Sequence, residues 1–130
     1  MANAYTHKNI KTDVEDKAPG FGLGEVGEVR FAKDDLDAEA TGLAHQKLKP
    51  NQRLPFAHKH EKAEEVYVVI SGSGRMKLDD EIIELKTLDA VRVAPAVTRG
   101  FEAGADGMEM LAIGARHDGD GELLQGWWTD

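Results

Sequence analysis

His58-Lys59-His60-Glu61-Lys62-Ala63-Glu64-Glu65-Val66-Tyr67-Val68-Val69-Ile70 sets two imidazoles and three glutamates ahead of an apolar run. Val66 to Ile70 is rich in β-branched and aromatic residues and reads as a strand. Side chains alternate along an extended chain, so His58 and His60 share one face if their segment is also extended. By the same rule Glu65, Tyr67 and Val69 share a face, and Val66, Val68 and Ile70 take the other. A carboxylate at the start of this strand can face the two histidines from a neighbouring strand. Two neutral imidazoles and a carboxylate suit a divalent cation of intermediate hardness.

Outward from this stretch, short apolar segments recur with turn signals between them. Val26 to Phe31, Thr41 to Leu48, Arg53 to His58 and Glu65 to Ile70 read as strands. Arg75 to Leu78, Ile82 to Leu85, Ala90 to Ala94 and Met108 to Gly114 continue the series. Ser71-Gly72-Ser73-Gly74 and Leu78-Asp79-Asp80-Glu81 have the chemistry of hairpin turns. Asp34 to Ala40 reads as one helical turn or a loop. Many short strands at regular spacing, with almost no helical periodicity, predict an all-β sandwich or barrel. Residues 1–25 form an N-terminal arm, with Phe21 and Leu23 docking in extended form. Residues 26–115 form the β-domain, and 116–130 a tail whose acidic stretch His117 to Glu122 is exposed. Trp127 and Trp128 are expected to cover an apolar edge of their own subunit or of a partner.

The 130 residues suffice for one domain, and 41% hydrophobic with 31% charged residues is a globular composition. A net charge of −8 argues against nucleic acid and against anionic membrane surfaces. No apolar stretch approaches the roughly 20 residues of a membrane span, and Met1 to Asp16 lacks the apolar core of a signal peptide. The chain has no cysteine, which excludes a disulfide framework and a thiolate nucleophile. A cytoplasmic protein is expected. No glycine-rich phosphate loop joins a strand to a helix.

The spacing His58-x-His60-x4-Glu65-x6-Gly72 resembles the first motif of the cupins. Leu88-Asp89-Ala90-Val91-Arg92-Val93-Ala94-Pro95, followed by Phe101, resembles their second motif. The likeness covers roughly residues 40–115 and is closest to small single-domain bacterial cupins. It implies a double-sheet jelly roll, or double-stranded β-helix, whose interior holds a metal bound by three histidines and one glutamate. His58, His60 and Glu65 occupy the first three ligand positions. Arg99 stands where the last histidine usually does, and Gly100 is the near alternative. Ala96 and Val97 replace the glycine usually found after the motif's proline. Arginine stays protonated and cannot ligate a cation.

Three arrangements of His58, His60, Glu65 and Arg99 follow. A metal (iron, zinc, manganese or nickel) is held by two histidines and one carboxylate, with Arg99 beside open positions and able to pair with an anionic group of a small-molecule ligand. Alternatively, the guanidinium replaces the metal and pairs with Glu65, leaving a metal-free binding module. In the third, Arg99 points outward and the histidines are polar residues at a barrel mouth. Tyr67 and Gln46 are expected to line the pocket, Gln46 sharing the face of Ala44 and Leu48. His45, on the other face, reads as a partly exposed structural residue. Arg75 and Met76 border the pocket by position, whereas Glu61 and Glu64 belong to a solvated loop. Apolar residues on both faces of the strand after Glu65 suggest a covering arm or a homodimer. Cupins include dioxygenases, isomerases, decarboxylases and non-enzymatic binders, so the fold does not choose a reaction. No separate general acid or base stands out.

Overall fold

In the computed structural model, which describes residues 4–115 and 119–129, eight strands form one curled antiparallel sheet. They are β1 (Gly27–Phe31), β2 (Thr41–Leu48), β3 (Phe56–His60), β4 (Glu65–Leu78), β5 (Glu81–Lys86), β6 (Ala90–Val93), β7 (Arg99–Ala115) and β8 (Gly121–Gln125). Two long strands, β4 and β7, organise the curl. The first part of β4 pairs with β6 and with Met108 to Gly114 of β7, which continues to β2 and β1. Its second part pairs with β5 and with Arg99 to Ala103 of β7, which also meets β3 and, through it, β8. The result is the expected jelly-roll barrel, two sheets sharing two strands.

The corner where β4 passes between the sheets is the stretch expected to turn. Ser71 to Gly74 makes no hairpin; the strand runs through it, with register breaks between Val69 and Ser71 and between Gly72 and Gly74. Gly72 has φ of 77°, and a Cβ on it would lie 2.1 Å from the Gly107 carbonyl oxygen. A glycine's freedom serves a bulge as readily as a turn, and here long-range pairing with β7 decides between them. Leu78 to Glu81 does turn: Leu78 pairs with Glu81 around Asp79, whose φ is 51°.

Three other strand readings are corrected. The strand expected over Arg53 to His58 is instead Phe56–His60, because Pro55 has no N–H for a ladder and Arg53 keeps only an isolated bridge to Glu102. β7 begins nine residues before the expected Met108. Part of the acidic tail is sheet: β8 pairs with β3 from Phe56↔Gln125 to His60↔Gly121. Of that tail, His117 lies outside the described residues.

The core lies between the two sheets. Leu48, Tyr67, Val69, Val93, Met108 and Met110 of one meet Met76, Leu85, Phe101 and Ala103 of the other. Tyr67 and Phe101 touch across the middle with ring centroids 5.0 Å apart. Met76 is part of this core and does not border the pocket. Arg75 instead pairs with Glu102 and lies near the Trp128 ring, which Arg53 also faces at 4.4 Å. Trp128 is thereby buried against its own chain.

The arm is more folded than the extended segment expected. The Asn9 side chain accepts from the N–H groups of Lys11 and Thr12 and caps a helical turn, α1 (Ile10–Asp13). Pro19–Phe21 forms a 3-10 turn closed by Gly22. Val14, Ala18 and Leu23 are buried, whereas Phe21 stays half exposed. His45 is also buried rather than partly exposed: its Nε2 lies 2.7 Å from Glu109, which also binds Lys11 of the arm. Asp34 to Ala40 is a series of turns.

Candidate metal centre

β3 presents His58 and His60 on one face, and Glu65 opens β4 after a four-residue loop. Their ligand atoms lie within 4.8 Å of one another. Glu65 Oε1 is the hub, 2.9 Å from His60 Nε2 and 3.4 Å from His58 Nε2. The Tyr67 hydroxyl donates to the same oxygen at 2.5 Å and lies 3.1 Å from His58 Nε2. His60 Nε2 is buried but makes no hydrogen bond, because its close approach to Glu65 is off-axis. Two donors each about 2.1 Å from one cation stand roughly 3.0–3.4 Å apart, which is the spacing between the carboxylate and each imidazole. The donor set and its separations fit a divalent metal.

Arg99 lies beside this hub. β7 brings it opposite His58, and it has no exposed surface. Its Nη1 donates to the carbonyls of Val97 at 2.8 Å and Pro95 at 3.3 Å. Nη2 is 3.7 Å from Glu65 Oε1, and the guanidinium carbon is 6.0 Å from the Tyr67 ring. Burial alone would raise the Glu65 pKa. Hydrogen bonds from His58 and Tyr67, with the charges of His60 and His58, outweigh it and draw the pKa down to about 2. Burial, and then the Glu65 charge, push the Tyr67 hydroxyl well above its ordinary value, so it remains a donor.

The depressed carboxylate has a consequence for acid stability. Glu65 stabilises the folded state fully above its ordinary value of 4.5, and the contribution is lost as pH falls towards about 2. Urea midpoints of the metal-free protein should therefore fall between those limits, and Glu65→Gln should flatten that part of the profile. A wild-type profile no steeper than the variant's would refute the assignment.

Asp120 escaped the sequence reading, which placed it in an exposed acidic tail. Its side chain is 5% exposed, with Oδ2 3.5 Å from His60 Nδ1, a charge contact without a hydrogen bond. Its oxygens accept from the backbone N–H groups of Glu61, Lys62 and Ala63 and tie down the loop between β3 and β4. No local pattern announces this contact, since the partners lie about sixty positions apart. Glu61 and Glu64 themselves are exposed, as expected.

The three donors open onto a cavity of about 560 Å³ that Tyr67 and Gln46 also line, whereas Arg99 is not on its wall. Gln46 Nε2 is buried without a hydrogen-bond partner. A smaller cavity of about 290 Å³ lies away from the donors, between Arg53, Gly100 and Trp128.

Comparison with known proteins agrees with this architecture. The family model of the cupin domain matches residues 44–114. A cupin protein from Bacteroides fragilis is 24% identical, with a TM-score of 0.70 over 98% of this chain and 93% of its own. Oxalate decarboxylase from Bacillus subtilis, at pH 4.6, is 20% identical with a TM-score of 0.76 over 95% of this chain. This chain spans only 33% of that enzyme's length, and both likenesses concern the fold. No curated protein matches the chain.

Proposed function

Because the chain belongs to the cupin-domain family, we propose that it is a small-molecule-binding cupin that holds a divalent metal through His58, His60 and Glu65. The convergence of these donors at ligand-like separations on the wall of a cavity carries this reading. Iron, zinc, manganese and nickel all suit two imidazoles and a carboxylate. A cation there supplies Lewis-acid polarisation of a bound oxygen. Arg99 adds a positive charge behind Glu65, so that a loaded site favours the anionic end of a ligand; Tyr67 holds the carboxylate and Gln46 faces the ligand.

The second reading is a metal-free module in which Arg99 compensates Glu65. The complete burial of Arg99, 3.7 Å from that carboxylate, supports it. Metal analysis of protein purified without a histidine tag separates the two. The metal-bound reading predicts stoichiometric iron, zinc, manganese or nickel. Protein that stays metal-free after incubation with all four would support the module.

Asp120 supports the metal-bound arrangement from outside. It ties down the loop that joins His60 to Glu65 and sets a negative charge 3.5 Å from His60 Nδ1; loss of such an outer partner weakens metal binding by about 10–100-fold. Asp120→Asn should show a loss of that size in competition with a chromophoric chelator; unchanged affinity would remove Asp120 from the site.

We assign the outer face of β4 and β7 to a homodimer contact. Val66 lies opposite Ile113 there, and Ile70 and Ile113 are both 38% exposed. The cytoplasmic assignment rests on composition, with no helix among the described residues long and apolar enough to cross a membrane.

A further inference from the structure

The cavity beside the three donors is lined mainly by hydrocarbon. Val29 and Phe31 of β1 lie opposite Gln46 and Ala44 of β2, so these four share the inner face. Glu28 and Lys47, the next pair along, point to the other side, where Glu28 is bound by Arg30. Leu48, Leu54 and Phe56 extend the apolar wall, and Glu28, Lys47, Glu122 and Gln125 also border the cavity. Arg99 is enclosed behind Glu65, and Lys47, which borders the cavity, occupies a strand position whose side chain alternates to the other face.

Two further observations bear on the occupant. The Gln46 amide has been taken out of water without a partner, although buried donors are ordinarily paired. It stands on the wall of the same cavity as the donors. Phe21, Phe31 and Leu123, from the arm, β1 and β8, are 52%, 49% and 64% exposed, and all three line this one opening. Large apolar side chains exposed together around a cavity mark a binding surface.

We infer that the ligand is an amphiphile, with one polar end at His58, His60 and Glu65 and an apolar body along β1 and β2. Gln46 donates to an oxygen of its polar end. The inference rests on the pocket proposed above, and its apolar part does not require the metal. The cavity's 560 Å³ falls within the range of small-molecule sites, about 300–1,000 Å³. A small dicarboxylate of greater length than the donor cluster fits poorly, because its second charge would rest unpaired against hydrocarbon.

Calorimetric titration of the whole protein, metal-free and manganese-loaded, with 1-octanol, octanoate and succinate tests this class. Octanol is expected to bind both forms with a negative heat-capacity change, and octanoate to bind more tightly once manganese is present. Succinate should bind at least about tenfold more weakly than octanoate, the size of difference a few buried methylenes produce. Gln46→Leu should weaken octanol binding by about five- to tenfold, the worth of one neutral hydrogen bond. Val29→Asp should abolish octanol binding; if it fails to fold, the Gln46→Leu comparison still decides. Octanol binding with no metal uptake would sink the metal and keep the amphiphile. Metal uptake with succinate preferred, or with neither amphiphile bound, would overturn the amphiphile and keep the metal.

Discussion

Arg99→Ala is expected to destabilise the metal-free protein by about 3–5 kcal/mol, the usual result of removing one partner from a buried ion pair. The guanidinium has no exposed surface, holds the carbonyls of Pro95 and Val97, and stands 3.7 Å from Glu65. Its loss leaves two carbonyls short of a donor, the carboxylate without its cation and a void where a fully buried side chain stood. For a domain of this size the melting temperature should fall by roughly 10–20 °C. Neutralising the other partner should recover part of it: Arg99→Ala with Glu65→Gln should lose less than the sum of the single variants. Thermal unfolding of the four proteins measures both quantities. An unchanged melting temperature in Arg99→Ala would show that the buried charge is not a structural partner of Glu65.

Metal affinity should respond in opposite directions to two substitutions. His60→Ala removes a ligand and should weaken binding by more than about 100-fold, beyond what loss of an outer partner costs. Arg99→His removes a repelling charge and supplies an imidazole at the fourth position that the cupin resemblance implies. It should tighten binding by at least about tenfold, since a single close charge contributes more than about 1.4 kcal/mol at partly buried sites. Chelator competition with zinc reads both. Equal affinities in wild type, His60→Ala and Arg99→His would mean that the ion binds elsewhere.

Much of this site was legible because its residues are close in sequence and obey period two. His58 and His60 share a face, Glu65 heads the next strand, and the resemblance to the first cupin motif selected it from three glutamates. β2 was readable in full, Thr41 to Leu48, since Lys49-Pro50-Asn51 ends it. Gln46 and Tyr67 followed from the same alternation. The bulge in β4 was not legible, because Gly72 carries the same local signal in a turn and in a bulge. β8 was hidden by its composition: an edge strand with one exposed face needs little apolar sequence, and its pairing with β3 joins positions 61 to 69 residues apart. Asp120 was missed for that reason too. Its acidic surroundings read as solvated, and only the fold brings it to His60.

On the proposed reading, His58, His60 and Glu65 hold one cation beside Arg99. Anomalous diffraction from a crystal of the manganese- or zinc-loaded protein, recorded at the metal's absorption edge, addresses it directly. A single peak is expected about 2.0–2.3 Å from the two imidazole nitrogens and a Glu65 oxygen, with the Arg99 guanidinium behind the carboxylate. A site without anomalous density, in which the guanidinium pairs with Glu65 in the place of the metal, would contradict it.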